Sequence, residues 1–233
     1  MAVIKPFKSI RPRKGLEDKI AALPYDVYNR SEAKQAVKDN PLSFLNIDRP
    51  ETQYDDDFDM YSDESYQTAA RLLDGMLERN EYIRDDKAYY YIYELTMNGR
   101  AQTGIVAVAS VDDYINETIK KHENTRADKE LDRIRHVDTL SAQTGPIFLA
   151  YKSNEAINSI VDKVKTTEPL YDFVSDDLIS HRVWIISDSD DISCIQDAFS
   201  TINSIYIADG HHRCASAVKV SLKRRQEKPD YTG

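Results

Sequence analysis

The sequence has little cysteine and no long apolar run, and these scarcities exclude several classes of protein. Cys194 and Cys214 are its two cysteines, which are too few for a disulfide framework and fit a reducing cytoplasm. No run approaches the roughly 20 apolar residues of a membrane-spanning helix, and Met1 to Lys5 does not resemble a signal peptide. Zinc-type spacings are missing as well, because there is no helical His-x-x-x-His pattern and no paired cysteine motif. We therefore expect a cytoplasmic protein with no membrane partner and no metal site of its own.

Positively charged residues are also fewer than negatively charged ones. The 31 Lys and Arg residues are outnumbered by 40 Asp and Glu residues, and the formal net charge is −9. This charge disfavours attraction to nucleic acid or to an anionic membrane, so an anion site would have to be a local basic pocket. The 233 residues, 41% hydrophobic and 30% charged, are typical of a globular protein. We expect a single domain over 1–233, with a subdivision into 1–110 and 111–233 as the alternative. The sequence leaves open whether the protein forms a homo-oligomer.

One segment near the C-terminus has the pattern of a strand, a turn and a helix. Residues 204–208 are a short apolar run, an Asp-Gly turn follows at 209–210, and His-His-Arg at 211–213 begins a helical pattern. Backbone N–H groups at a helix start are unpaired and the helix dipole is positive there, so such a start binds anions. Imidazole and guanidinium groups add directed donors for phosphate. The segment therefore indicates a phosphate-handling site.

Two other interpretations of the histidine pair stay open. His211 and His212 could be a buried, hydrogen-bonded structural feature, or they could be half of a metal site. Adjacent side chains on a helix diverge by about 100°, so both rings rarely bind one metal. An anion site is therefore the preferred interpretation, packing the second and a metal the third.

A second charged segment covers residues 121–136 and contains almost no apolar side chains. If it is helical, Arg126, Lys129 and Arg133 share one face and could bind phosphate from that face. Glu123 could be an acid or a base at the edge of this cluster. Taken alone, however, a mixed-charge run is more often a solvated helix with internal ion pairs.

Two weaker candidates lie in turns. The polar turn at 143–146 precedes a strand and could line a site, although a plain turn is the preferred interpretation. Asp26 could be a catalytic carboxylate or a magnesium ligand, but in the context Pro-Tyr-Asp it is more often an Asx-turn residue.

Hydrophobic periodicity predicts a mixture of strands and helices, with hairpins as well as crossovers. Asn98-Gly99 between two apolar segments is a strong hairpin signal, and the apolar stripe over 63–81 is the clearest helix. The pattern favours an α+β (mixed α/β) fold with a mixed sheet and flanking helices. We predict strands over 3–10, 44–47, 89–95, 102–109, 146–151, 181–186 and 204–208. We predict helices over 32–38 with Ser31 as its N-cap, 63–81, 155–164 and 191–201, and a further helical segment from Asp112 onward.

Seven short motifs, in order along nearly the whole chain, carry a family resemblance. They are FKSIRP at 7–12, PYDV at 24–27, KHENTR at 121–126, DR at 132–133, RHVD at 135–138, QTGP at 143–146 and IADGHHR at 207–213. On these motifs the chain is identified as a member of the bacterial family called domain of unknown function 1015. Members of that family are longer, so the resemblance implies that this chain is truncated after Gly233.

A more distant resemblance points to chemistry. The strand, Asp-Gly-His-His-Arg turn and helix at 204–220 are similar to the nucleotide-binding box of the ParB/sulfiredoxin-like fold. The free-serine kinase branch of that group carries the same Asp-Gly-His-His-Arg string. The resemblance implies phosphoryl transfer between a nucleotide and the hydroxyl of serine, or the reverse from phosphoserine, with a glutamate as base. Glu123 is the candidate for that glutamate, and the long spacer between Arg13 and Ser204 implies a large insertion.

The resulting hypothesis is a small-molecule kinase or phosphatase that uses ATP or ADP, with Mg²⁺, on a small anionic substrate. Its rivals are a non-catalytic nucleotide-binding switch or interaction module and a plain structural module. The catalytic candidates are Asp209, His211, His212 and Glu123. The phosphate-binding candidates are Gly210, Arg213, His122, Arg126, Lys129, Arg133, Arg135 and His136.

Overall fold

The computed structural model describes residues 1–123 and 127–230, with the backbone alone for 127–129. Two 3₁₀ turns, Tyr25–Val27 and Pro50–Gln53, lie among the helices. The α-helices of the described chain are α1 (Glu17–Ile20), α2 (Arg30–Val37), α3 (Leu45–Asp48), α4 (Asp63–Glu78), α5 (Val111–Ile115), α6 (Ala127–Leu140), α7 (Glu155–Lys165), α8 (Ser189–Ser200) and α9 (His211–Glu227). The strands are β1 (Ile4–Lys5), β2 (Ile10–Pro12), β3 (Tyr82–Arg84), β4 (Tyr90–Met97), β5 (Arg100–Val106), β6 (Val108–Ala109), β7 (Ile119–Lys120), β8 (Phe148–Ala150), β9 (Tyr171–Val174), β10 (Ser180–Ile186) and β11 (Ile205–Asp209).

The strands form several small sheets. The largest has the antiparallel order β5-β4-β10-β9, in which Trp184 of β10 lies opposite Ile92 of β4. A three-stranded sheet has the order β7-β11-β8, and Ile205 of β11 pairs in parallel with Ile119 of β7. The pairs β1-β6 and β2-β3 are short antiparallel ribbons. Helices and separate sheets together confirm the α+β class.

The chain divides into two compact units, each built from three stretches of sequence. The first unit comprises Met1–Asp18, Tyr82–Lys120 and Ala150–Tyr206, and it contains the four-stranded sheet with α7 and α8. Its core is apolar and aromatic, with Tyr90 and Ile92 fully buried.

The second unit comprises Lys19–Glu81, the described part of Lys121–Leu149 and the chain from Ile207 onward. It contains α2, α3, α4, α6 and α9. Leu45 and Ile47 are completely buried in it, and Tyr25 packs against the cluster around Leu45. In the described part of the chain, no helix combines the length and the apolar character that crossing a membrane requires.

The strongest periodic patterns form the expected elements. The helix predicted over 63–81 is α4, which ends at Glu78, and that predicted over 155–164 is α7. The predicted hairpin joins β4 to β5, with positive φ at Asn98 (52°) and Gly99 (77°) as a tight two-residue turn requires. The predicted strand, turn and helix near the C-terminus are β11, Gly210 and α9.

Three predictions are wrong or incomplete. Residues 44–47 lie in the turn and helix of α3, not in a strand, and the amide of Asn46 donates to local backbone carbonyls there. The prediction is wrong because a short, mostly apolar run does not distinguish a strand from a helix. The N-cap of α2 is Asn29 instead of Ser31, since Asn29 and Glu32 form a reciprocal capping box. The strand expected over 3–10 is divided into β1 and the start of β2, and β9 was not predicted.

Candidate functional site

Helix α9 starts at a backbone turn that only glycine adopts easily. Gly210 has φ 91° and ψ 35°, the left-handed conformation, and it occupies the N-cap position. Having no side chain, Gly210 cannot cap the helix, so the first-turn N–H groups of α9 receive no side-chain acceptor from this residue. The helix dipole is positive at this end, and Arg213 in the first turn contacts Gly145 and Pro146 of the loop that precedes β8.

The Arg213 side chain lies across two glycines. Its guanidinium donates to the carboxylate of Asp209 and to the carbonyl of Pro146. A Cβ added to Gly145 would lie 2.9 Å from Cδ of Arg213, and one added to Gly210 would lie 3.1 Å from its Nε. Glycine at both positions therefore makes the room that the guanidinium occupies.

A second guanidinium comes from α6. The side chain of Arg133 is 9% exposed, pairs with Asp132 at 2.9 Å and stacks over the ring of Tyr25 at 4.1 Å from its centroid. Burial is the largest influence and opposes the charge on Arg133, but Asp132, Tyr25 and Asp48 together outweigh it and raise the pKa of the guanidinium. The group stays charged although it is nearly buried.

His136, one turn further along α6, is 1% exposed. Its Nε2 lies 3.0 Å from the carbonyl oxygen of Ile47, while no partner in the described structure contacts its Nδ1. Burial, followed by the positive charge of Arg133, lowers the pKa of His136 below its usual value. The ring is therefore neutral near pH 7 and does not add positive charge to the site.

These side chains meet at one small cleft, whose volume is about 20 Å³. A single water needs about 10–15 Å³ measured in this way, so a phosphate can enter only if a lining side chain moves. The cleft is lined by Tyr25, Asp48, Arg133, His136, Val137, Gln143, Thr144, Gly145 and Arg213. Every one of these residues belongs to the second unit.

Asp48 is a lining residue that sequence reasoning missed. Its carboxylate accepts a hydrogen bond of 2.9 Å from Thr144 and lies 3.9 Å from Nε2 of His136. The signal was present, because Asp48 ends an apolar run just as Asp209 ends β11. The predicted strand over 44–47 ends just before Asp48, so the same strand-end pattern identifies this carboxylate as a candidate.

The other predicted histidines form a separate group. His211, whose side chain is 6% exposed, places Nδ1 3.6 Å from Glu123 and its ring edge-to-face with His122 at 4.4 Å. Nε2 of His211 and Nδ1 of His212 are buried and contact no partner within the described residues. None of these four residues lines the cleft, and their catalytic and phosphate-binding roles stay predictions.

The remaining basic candidates are dispersed. Arg135 binds Asp63 and stacks over Tyr66 at 4.4 Å, so it is engaged on another face of α6. Arg126 lies outside the described residues, as does the side chain of Lys129, and the face predicted for them stays a prediction.

Two further side chains complete the description of the site's surroundings. Asp26 is exposed in the 3₁₀ turn that carries Tyr25, and it does not line the cleft. Burial raises the pKa of the Cys214 thiol to about 11, so that thiol is protonated and is not a nucleophile at neutral pH. Within 1–123 and 127–230, no three His, Cys, Asp or Glu side chains are grouped closely enough to hold a metal ion.

Comparison with known proteins gives a single positive finding. A family model described as "Protein of unknown function (DUF1015)" matches residues 4–233. No curated protein and no solved structure matches the chain. The match covers nearly the full sequence, including every residue of the cleft.

Proposed function

The chain belongs to the family described as protein of unknown function (DUF1015), and we propose that it is a phosphotransferase acting on a small hydroxyl compound. The reaction is phosphoryl transfer between a nucleotide and a substrate such as serine, or its reverse from phosphoserine. One observation carries the proposal: the guanidinium groups of Arg133 and Arg213, from two different helices, line the same cleft. Arginine pairs are suited to phosphate because each planar fork donates two parallel hydrogen bonds.

The present contacts of Arg213 are easily exchanged. Its partner Asp209 has a side chain that is 70% exposed, and such exposed ion pairs contribute only about 0–1 kcal/mol. A phosphate offers bidentate, charge-assisted bonds that are stronger. We propose that phosphate takes the place of Asp209 and Pro146 at the guanidinium, and that the movement of Arg213 opens the cleft.

Asp48 narrows the class of substrate. A carboxylate beside two guanidinium groups disfavours a second anionic group at that position and favours a cation. Serine and phosphoserine carry an ammonium group next to the hydroxyl or phosphate, and this group would pair with Asp48. The free-serine kinase branch, whose Asp-Gly-His-His-Arg string the chain resembles at 209–213, supports the same substrate class.

The test compares wild type with Arg213→Ala and Arg213→Lys. Each protein is incubated with Mg²⁺ and either ATP plus serine or ADP plus phosphoserine, and phosphorus NMR follows the exchange of phosphate. We expect a loss of about 10²–10³ in rate for Arg213→Ala, the scale of losing one donor to a transition-state oxyanion. Lysine keeps the positive charge but lacks the planar pair of donors of a guanidinium. Arg213→Lys should therefore recover only part of the rate that Arg213→Ala loses.

Arg225→Ala is the matched control, because it removes an arginine from the same helix without touching the cleft. Its rate should equal that of wild type. Nucleotide binding by wild type without any turnover would favour the non-catalytic switch. No ligand-induced shift in melting temperature with any of these compounds would leave only a structural module.

A further inference from the structure

The hydrogen bond of His136 fixes which ring nitrogen carries the proton. A carbonyl oxygen only accepts, so the 3.0 Å contact with Ile47 requires the N–H to be on Nε2. In a neutral ring, Nδ1 then carries a lone pair. Nδ1 is buried, contacts no partner among the described residues, and belongs to a side chain that lines the cleft. Buried polar atoms without a partner are rare in folded proteins, so this one calls for a hydrogen-bond donor.

Charged groups surround the imidazole from several elements and bear on its protonation. Arg133 and its partner Asp132 lie on α6, Asp48 ends α3, and Arg213 extends from α9. The phenol of Tyr25 completes the set, and burial raises its pKa so that it stays protonated. Burial and Arg133 lower the pKa of His136 more than Asp48 raises it. The lone pair on Nδ1 is thus available at neutral pH.

We propose that His136 is the general base of the reaction and that Nδ1 accepts the proton of the substrate hydroxyl. This role rests on the proposed function, and it replaces phosphate binding as the task of this residue. The carboxylate Glu123, the base expected from the family resemblance, is exposed and does not line the cleft. His136 is the lining side chain with a free acceptor and a neutral ring.

In the transfer step the hydroxyl oxygen of the substrate forms a bond to the γ-phosphorus of a nucleoside triphosphate, and the bond from that phosphorus to the β,γ-bridging oxygen breaks. The hydroxyl proton moves to Nδ1 of His136, which becomes an imidazolium, and the nucleoside diphosphate leaves with the electron pair of the broken bond. The imidazolium then loses its proton to solvent. In the reverse direction the imidazolium returns a proton to the leaving alkoxide.

The decisive variant is His136→Gln, whose amide N–H can still donate to Ile47 while the acceptor at Nδ1 is lost. The rate with ATP and serine should fall by about 10²–10⁴, the range for removing a general base. The KM for ATP should change little, because the arginines remain. In wild type kcat should fall only at a pH below the usual pKa of histidine, because burial and Arg133 lower the pKa of His136. This acid limb should vanish in the variant.

The control is His181→Gln, a second histidine whose pKa is lowered by burial but which belongs to the first unit and contacts Tyr93 and Ser175. It should keep both the rate and the acid limb. An acid limb that survives in His136→Gln would belong to the phosphate groups, whose second pKa is about 6, and would remove His136 from the mechanism. Unchanged turnover in His136→Gln would do the same while leaving the phosphotransferase intact.

Two measurements on wild type keep the proposal testable if His136→Gln does not fold. Nitrogen NMR of the histidine rings should show the proton on Nε2 of His136, and an Nδ1 resonance that shifts when serine and a non-hydrolysable ATP analogue are added. A proton on Nδ1, or no shift, overturns the role of His136. Absence of any turnover in wild type overturns the proposed function and the base together.

Discussion

At the scale of single residues, the proposed phosphate site depends on where the Arg213 guanidinium lies. Two backbone positions without a Cβ, Gly145 and Gly210, let that side chain lie flat between β11 and the loop before β8. Gly210 also needs its positive φ, so any replacement there strains the backbone at the helix start. Gly145 has no positive φ, so a replacement there changes only the space available to the Arg213 side chain.

Gly145→Ala should weaken the binding of phosphoserine by about tenfold or more. The added methyl group would lie 2.9 Å from Cδ of Arg213, so the side chain must leave the position from which its guanidinium is exchanged onto phosphate. Overpacking of this kind costs roughly 1–3 kcal/mol, and 1.4 kcal/mol corresponds to a factor of ten in affinity. Isothermal titration of the two proteins with phosphoserine measures the difference.

Gly104→Ala makes the same substitution where the new Cβ meets no atom within 4 Å, and it should leave the affinity unchanged. Equal affinities for wild type and Gly145→Ala would show that the position of Arg213 is irrelevant to binding.

The sequence predicts both arginines that line the cleft, but not the acidic and basic side chains that surround them there. Arg133 is predicted from its face of a charged helix and Arg213 from its place at a helix start, and both patterns are local in the sequence. His136 was also assigned to phosphate, yet its neutral state depends on burial and on the carbonyl of Ile47, a contact 89 residues away in sequence. Asp48 was missed for the same reason, since it matters only once α3 is folded against α6. Sequence patterns show residue types and spacings, whereas tertiary contacts decide protonation.

At the scale of elements, the site needs α6 and α9 to stay aligned. Charged side chains along their length connect the two helices: Lys219 pairs with Glu130, and Asp138 pairs with both Lys223 and Arg224. The hydrogen bond from Lys223 is the main cause of the lowered pKa of Asp138, with the bond from Arg224 adding to it. These pairs lie on the same two helices as His136 and Arg213.

Asp138→Asn should destabilise the protein by about 0.2–1 kcal/mol, the range measured for partly exposed ion pairs. Because the pKa of Asp138 is lowered on folding, its stabilisation is present above the usual aspartate value and is lost as the pH falls through the lowered pKa. The difference from wild type should therefore shrink in acid and in high salt. Urea unfolding at two pH values measures it.

Glu227→Gln is the control for Asp138→Asn, since it removes only the 3.8 Å partner of Lys223 within α9. A larger loss of stability for Glu227→Gln than for Asp138→Asn would contradict the role assigned to the pairs between the helices.

Elements with a long sequence pattern are predicted more accurately than elements with a short one. Helix α4 has a long periodic pattern, strand β4 has a long aromatic and apolar run before the Asn-Gly turn, and both are close to their predicted bounds. Leu45 and Ile47 are two residues apart and would share one face of a strand, which is why the short run at 44–47 suggests a strand. In α3 they lie on different sides of a helix, and both are buried, as is Asn46 between them. The local sequence pattern does not distinguish a helix from a strand in so short a run, and tertiary packing decides between them.

At the scale of the whole molecule, the chain interleaves two compact units. Each unit contains three separate stretches of the sequence, so no single boundary along the chain separates one unit from the other. The arginines, Asp48, His136 and the Asp-Gly-His-His-Arg turn all belong to the second unit. We therefore expect phosphate to bind to that unit.

Hydrogen–deuterium exchange of wild type with and without saturating phosphoserine tests this assignment most directly. We predict slower exchange at the three segments around the cleft, 45–49, 133–146 and 209–214, and unchanged exchange in the four-stranded sheet of the first unit. Arg213→Ala should lose the protection, whereas Arg225→Ala should keep it. Protection confined to the first unit, or the same protection in Arg213→Ala as in wild type, would contradict a phosphate site at this cleft.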